Sequence, residues 1–156
     1  MKKLGLASLI CSIAINSAVA DDCIMAKELN VQFKNDATIY QDKETELKEI
    51  KAFADFAKQT DVYVLIEGHT NKLSSVSHNQ TLSTKRAQKV KNELINLGVN
   101  RSHITSMGFG ELLPLYDNET QEGLSKNRRC IAEIFNTKEE LQSYIQEQQK
   151  KLQAKQ

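Results

Sequence analysis

Residues 62–66, Val-Tyr-Val-Leu-Ile, form an unbroken apolar run rich in β-branched side chains, the pattern of a strand covered on both faces and therefore interior to a sheet. A chain with such a strand needs partner strands beside it and layers over it. Upstream, Leu29, Val31 and Phe33 alternate with polar residues, a period of two that predicts a strand with one buried face. From residue 42 to 59 the period lengthens, with Leu47, Ile50, Phe53, Phe56 and Ala57 at spacings of three and four, and the segment is predicted to be helical. After a polar loop from His69 to about Asn79, a second helix is predicted from about residue 82 to 97. It would bury Ala87, Val90, Leu94 and Leu97 and stop at Gly98, where a left-handed cap belongs. Residues 104–109 and 130–135 are predicted strands, separated by a loop holding Pro114 and the turn pair Asp117-Asn118. Strands alternating with helices in this order predict an α/β (α+β) two-layer sandwich, a mixed sheet with helices on one face.

Both ends of the chain carry further signals. Lys2 and Lys3, an apolar stretch from Leu4 to Ile15 and the small residues Ala18-Val19-Ala20 predict a cleaved secretory signal peptide over residues 1–20. The apolar stretch, about twelve residues, falls short of the roughly 20 that a membrane span needs. Neither Cys11 nor Cys23 is preceded by the small residues of a lipoprotein signal. Removing the 20-residue leader from the 156-residue chain leaves 136 residues, and the loss of Lys2 and Lys3 reduces 21 basic residues to 19 against 20 acidic ones. A balance this close to neutral excludes the basic footprint of a nucleic-acid binder. Cys11 leaves with the leader. The remaining pair, Cys23 and Cys130, suggests a disulfide in an oxidising compartment, with two unrelated thiols as the alternative. After a lead-in over residues 21–28, the folded domain is expected over 29–136 and a C-terminal helix over 137–156. Thr137-Lys138-Glu139-Glu140 reads as a capping box opening that helix, and Leu141, Tyr144, Ile145, Gln148 and Leu152 give it a narrow apolar stripe. Docking on its own domain and binding a partner are both open to it.

The stretch with the most functional content leaves the interior strand. Gly68-His69-Thr70-Asn71 is followed by Asn79, Leu82-Ser83 and Arg86-Ala87; then come Gly108-Phe109-Gly110-Glu111, Pro114, Asn118, Gly123 and Asn127-Arg128-Arg129. Over about residues 29–135 this series resembles the OmpA-like domain, the peptidoglycan-binding module of outer-membrane protein A, peptidoglycan-associated lipoprotein and flagellar stator proteins. The resemblance implies a periplasmic protein that binds peptidoglycan noncovalently through the diaminopimelate of its stem peptides and links an envelope component to the cell wall. Diaminopimelate ends in an ammonium and a carboxylate on one carbon, so its site needs an acceptor, preferably anionic, beside a guanidinium fork. Arg86 matches the family arginine that pairs with the carboxylate. It lies four residues before Val90, about 40° around the helix, and its side chain should lean back over the loop that begins at His69.

At the acceptor the chain departs from the family. Asn71 stands where the pattern has aspartate, and an amide accepts a hydrogen bond without balancing a charge. The loss is roughly 1 to 2 kcal/mol, which weakens binding rather than removing it. Three further residues carry over from the resemblance: Asn79, either to hold the loop or to reach ligand, Thr70 through its backbone groups, and Arg128 as a second cation for a carboxylate; Arg129 carries over more weakly. Asn71 also opens a second reading, a degenerate module with weak or no wall binding that serves as an assembly subunit of an envelope complex, through the C-terminal helix. Gly68, Gly108 and Gly110 are expected to serve turns and close packing, His69 the strand end, and His103 an exposed loop. Ser74, Ser75 and Ser77 lie near His69 and His78, but no nucleophile elbow or orienting acid accompanies them, and the chain is not expected to be an enzyme. The histidines and cysteines lack ligand spacing, so neither metal nor cofactor is expected.

Overall fold

The computed structural model describes residues 27–155; the expected leader and its expected cleavage site, Cys11 and Cys23 lie outside them. In chain order the elements are β1 (Asn30–Gln32), α1 (Lys43–Thr60), β2 (Tyr63–Gly68), α2 (Val76–Asn96), β3 (Ile104–Gly108), α3 (Gln121–Asn127), β4 (Arg129–Phe135) and α4 (Lys138–Gln153). The four strands form one mixed sheet in the order β1-β4-β2-β3, with β4 antiparallel to both neighbours and β2 parallel to β3. The apolar run is an interior strand, as its composition requires. Its neighbour β4 arrives last in the chain and places Cys130 opposite Gly68 on one side and Val31 on the other.

Alternation along β2 divides its side chains between two environments. Val64 and Ile66 join Ile50, Phe53 and Ala54 of α1 and Ala87, Val90 and Leu94 of α2 in the main core, with Leu29, Val31, Phe33 and Cys130. Leu65 and Glu67 point the other way. That second face carries Phe135 of β4, and α4 lies on it: the Tyr144 ring packs 5.2 Å from Phe135 and its hydroxyl donates to Glu67 Oε1 at 3.0 Å. The expected sandwich of sheet and helices holds for α1 and α2, and α4 adds a cover on the opposite face. Its apolar stripe is therefore used within the domain, with Leu141, Gln148 and Leu152 buried.

Cα geometry at the helix ends follows local sequence. Asp42 caps α1 by accepting from Thr45 N at 2.8 Å, and Thr137 and Glu140 form the capping box of α4. At the end of α2, Gly98 (φ +96°) and Val99 donate back to Ile95 and Leu94, closing a Schellman motif that needs the left-handed conformation glycine adopts without strain. Two boundaries differ from expectation. The second helix begins at Val76, capped by Ser75, six residues before the expected start, because its first turns are polar and face a cleft rather than the core. The loop before β4 contains α3, capped by Thr120; seven residues with one buried leucine carry too little periodicity to be read. His103, expected in an exposed position, is largely covered, its ring stacked 4.3 Å from Tyr63.

Candidate functional site

The buried stripe of α2 runs Asn79, Ser83, Arg86, Ala87, Val90, Leu94, turning from polar to apolar along its length. Its apolar half lies in the core. Its polar half emerges at the carboxyl ends of β2 and β3, and the approach there is close: a Cβ on Gly68 would collide with the Ser83 carbonyl, and one on Gly108 with the Thr84 side chain. These two glycines serve close packing, as expected, and let α2 hold its side chains over the strand ends.

There the chain forms a polar cleft of roughly 100 Å³, lined by all five residues that the motif singled out: Thr70 and Asn71 from the β2–α2 loop, Asn79 and Arg86 from α2, and Arg128 from the α3–β4 junction. Asn35 and Asp36, from the loop after β1, complete one wall, and Leu73, Ser74 and Leu82 the rim. A cleft of this size is below the usual range for a whole small-molecule site and admits the end of a side chain rather than a sugar ring.

Arg86 leans back as expected. It is fully buried, and its guanidinium donates from Nε to Ala37 O at 2.9 Å, from Nη1 to His69 O at 3.1 Å and from Nη2 to Lys34 O at 3.0 Å. Burial lowers its pKa to about 10, which leaves it cationic at neutral pH. With three carbonyls and no carboxylate as partners, it brings a positive charge to the cleft without an ion pair to neutralise it in place. Arg128 is held in a similar way, by Phe33 O at 3.0 Å, Leu124 O at 3.1 Å and Ser125 Oγ at 2.9 Å. The Thr70 hydroxyl is buried in the cleft without a hydrogen-bonding partner among the described residues and is free to bond a group that enters it.

The two amides are more occupied. Asn79 donates to Asn71 O at 3.1 Å, Ser74 O at 3.2 Å and Glu111 Oε2 at 2.5 Å, so its Nδ2 braces the loop instead of facing ligand. Asn71 accepts from Leu73 N at 3.3 Å through Oδ1 and directs Nδ2 at Asn35 Oδ1 and Leu124 O at 3.5 and 3.4 Å, both at the long limit for hydrogen bonds. Arg129 is buried, donates weakly to Leu113 O at 3.4 Å and is not among the lining residues. Asn127 organises the loop before α3, accepting from Leu115 N and Tyr116 N and donating to Tyr116 O and Asn118 Oδ1. Cys130 lies buried in the core with its thiol pushed strongly towards the protonated form by burial, while Cys23, its suggested partner, lies outside the described residues.

Sequence reasoning missed Asp36. It sits at φ +48° in a turn closed by Lys34 N donating to Ile39 O at 2.9 Å and by the bridge between Phe33 and Tyr40. A lone acid in a polar loop has no pattern to mark it. What places it in the cleft is the sheet order, which sets the loop after β1 beside the end of β2 by way of β4.

Comparison with known proteins places the fold in a family. The model of the OmpA family matches residues 33–128. Outer membrane porin F of Pseudomonas aeruginosa is 38% identical over 119 residues, covering 75% of this chain and 33% of the porin, so the chain spans about a third of that relative. Peptidoglycan-binding protein ArfA of Mycobacterium tuberculosis is 41% identical over 69 residues, 44% of this chain and 21% of its own length. Among solved structures, the peptidoglycan-associated lipoprotein of Burkholderia pseudomallei superposes with a TM-score of 0.61 at 25% identity, covering 68% of this chain and 87% of that one. The C-terminal domain of Helicobacter pylori MotB gives 0.61 at 24% identity over 73% and 89%, a likeness of fold.

Proposed function

The chain belongs to the OmpA family, and on that premise we propose that it binds peptidoglycan noncovalently, taking the diaminopimelate end of a stem peptide into the cleft of Thr70, Asn71, Arg86 and Arg128. The observation that carries this reading is convergence: residues up to 58 positions apart, chosen on motif alone, line one side-chain-sized cleft. Two relatives bear on it by name, ArfA as a peptidoglycan-binding protein and the Burkholderia lipoprotein as peptidoglycan-associated. The ligand carboxylate would face the field of Arg86 and Arg128, the Thr70 hydroxyl would gain a partner, and the ammonium would lie against the acceptors on the other wall. Such a module works in the periplasm, tethers an envelope component to the wall and leaves the wall covalently unchanged.

A second reading, a decayed module that assembles an envelope complex, draws support from Asn71, whose amide is turned to loop contacts. Co-sedimentation of the purified protein with isolated sacculi separates the two. Wild type should pellet with sacculi and Arg86→Ala should not. Because Arg86 also holds three carbonyls, its melting curve is recorded alongside, and Asn71→Asp, which leaves those bonds in place, supplies the independent arm. Restoring the acid should tighten binding about tenfold. Failure of both wild type and Asn71→Asp to pellet would overturn wall binding and favour the second reading.

A further inference from the structure

A zwitterionic head group requires an anion as well as the two guanidiniums, and position 71 lacks one. Among the described residues lining the cleft, Asp36 is the single acid. Its placement is built. Arg86 donates to Lys34 O on one side of Asp36 and to Ala37 O on the other, so the guanidinium that faces the ligand carboxylate also fixes the turn carrying the acid. The Asp36 carboxylate is two-thirds exposed, and Oδ1 lies 2.5 Å from Nε2 of His78, itself half exposed, on the first turn of α2. An exposed pair of this kind is held weakly, and a better-placed cation displaces it.

We propose that Asp36 receives the ammonium of the bound diaminopimelate, in place of the acid missing at position 71, by exchanging its contact with His78 for one with the ligand. The inference rests on the peptidoglycan reading above and adds the residue that reads the ligand's positive charge. It also accounts for Asn71: with the anion on the opposite wall, an uncharged amide turned to Leu73, Asn35 and Leu124 costs the site little of its charge complement.

The test pairs a variant with a ligand that differs in the same charge. Asp36→Asn removes the carboxylate while asparagine keeps the left-handed turn, which it tolerates as aspartate does. The probes are L-Ala-γ-D-Glu-meso-diaminopimelate and the same tripeptide with 2-aminopimelate, which retains the carboxylate and lacks the ammonium; affinities are measured by calorimetry, with a melting curve for each protein. Wild type should prefer the diaminopimelate peptide about tenfold. Asp36→Asn should lose that preference and bind the 2-aminopimelate peptide as wild type does. A preference preserved in Asp36→Asn overturns the role of Asp36 and leaves peptidoglycan binding standing. Wild-type protein that binds neither peptide nor sacculi overturns both.

Discussion

Arg86 was identifiable as a functional side chain from its motif and helical phase, which also pointed it at the loop of its partner His69 O; its other two partners were not legible, because they are the carbonyls of a loop 49 to 52 residues upstream that only the sheet order brings near. Glu67 is a similar case. Directly after the apolar run, it has no hydropathy mark of burial, yet it is buried beneath α4, where burial raises its pKa to about 6 from an ordinary 4.5 against the opposing effects of the Tyr144 hydroxyl and Arg129. Around it stand Tyr144 from α4, Glu133 and Arg129 from β4, and the His69 imidazole at 3.4 Å, a contact with a neutral ring, since burial and Arg129 keep His69 unprotonated. The folded state thus favours protonated Glu67. Its contribution to stability is complete below about pH 4.5 and is lost as pH rises through 6, a loss of about 2 kcal/mol by pH 7.5. Glu67→Gln stays neutral and still accepts from Tyr144, so urea midpoints at pH 5 and 7.5 should show the variant gaining on wild type at the higher pH. His69 acts alike in both proteins and cancels from the difference. Parallel pH profiles would show that Glu67 does not titrate in this range.

Elements were legible in the sequence where they meet the main core and obscure where they meet the cleft. α1 and the second half of α2 show their period because the same residues that repeat, Ile50, Phe53, Ala57, Val90 and Leu94, are the ones buried. The first turns of α2 bury Asn79 and Ser83 instead, and a polar buried face has no hydropathy signature. End signals do not depend on hydropathy and read correctly at both Gly98 and Thr137. Gly98→Ala forces a Cβ into φ +96°, where alanine is strained by about 1 kcal/mol, although the nearest atom, on Lys58, leaves room for it at 3.4 Å. Chemical denaturation should register that loss with the slope unchanged. Sacculus binding should be untouched, since Gly98 caps the end of α2 remote from Arg86. A variant as stable as wild type would mean that the loop after α2 readjusts to remove the left-handed turn.

At the scale of the molecule, an interior strand demanded cover on two faces, and the helices with clear periodicity supplied only one. The narrow stripe of α4, ambiguous as a sequence because it alternates Leu and Tyr with Gln, is the second cover; a face carrying Glu67 and Glu133 is matched by a helix that offers a hydroxyl rather than a broad apolar band. The molecule also has almost no net charge, +1 for the whole chain. It therefore projects no long-range field to draw an anionic fragment towards it, and in the proposed binding recognition would fall to charges placed within the cleft: Arg86, fully buried, Arg128, partly so, and Asp36 on the opposite wall. Salt screens separated exposed charges within a Debye length of about 10 Å at 0.1 M but acts weakly on groups in contact inside a cleft. Affinity for the diaminopimelate tripeptide should accordingly change by less than about threefold between roughly 50 and 300 mM NaCl, and most of that change should disappear in Asp36→Asn, which lacks the exposed member of the set. Calorimetric titration across that range measures it. A fall of tenfold or more would mean that binding depends on surface lysines outside the cleft, because only a field spread over the surface is screened that steeply.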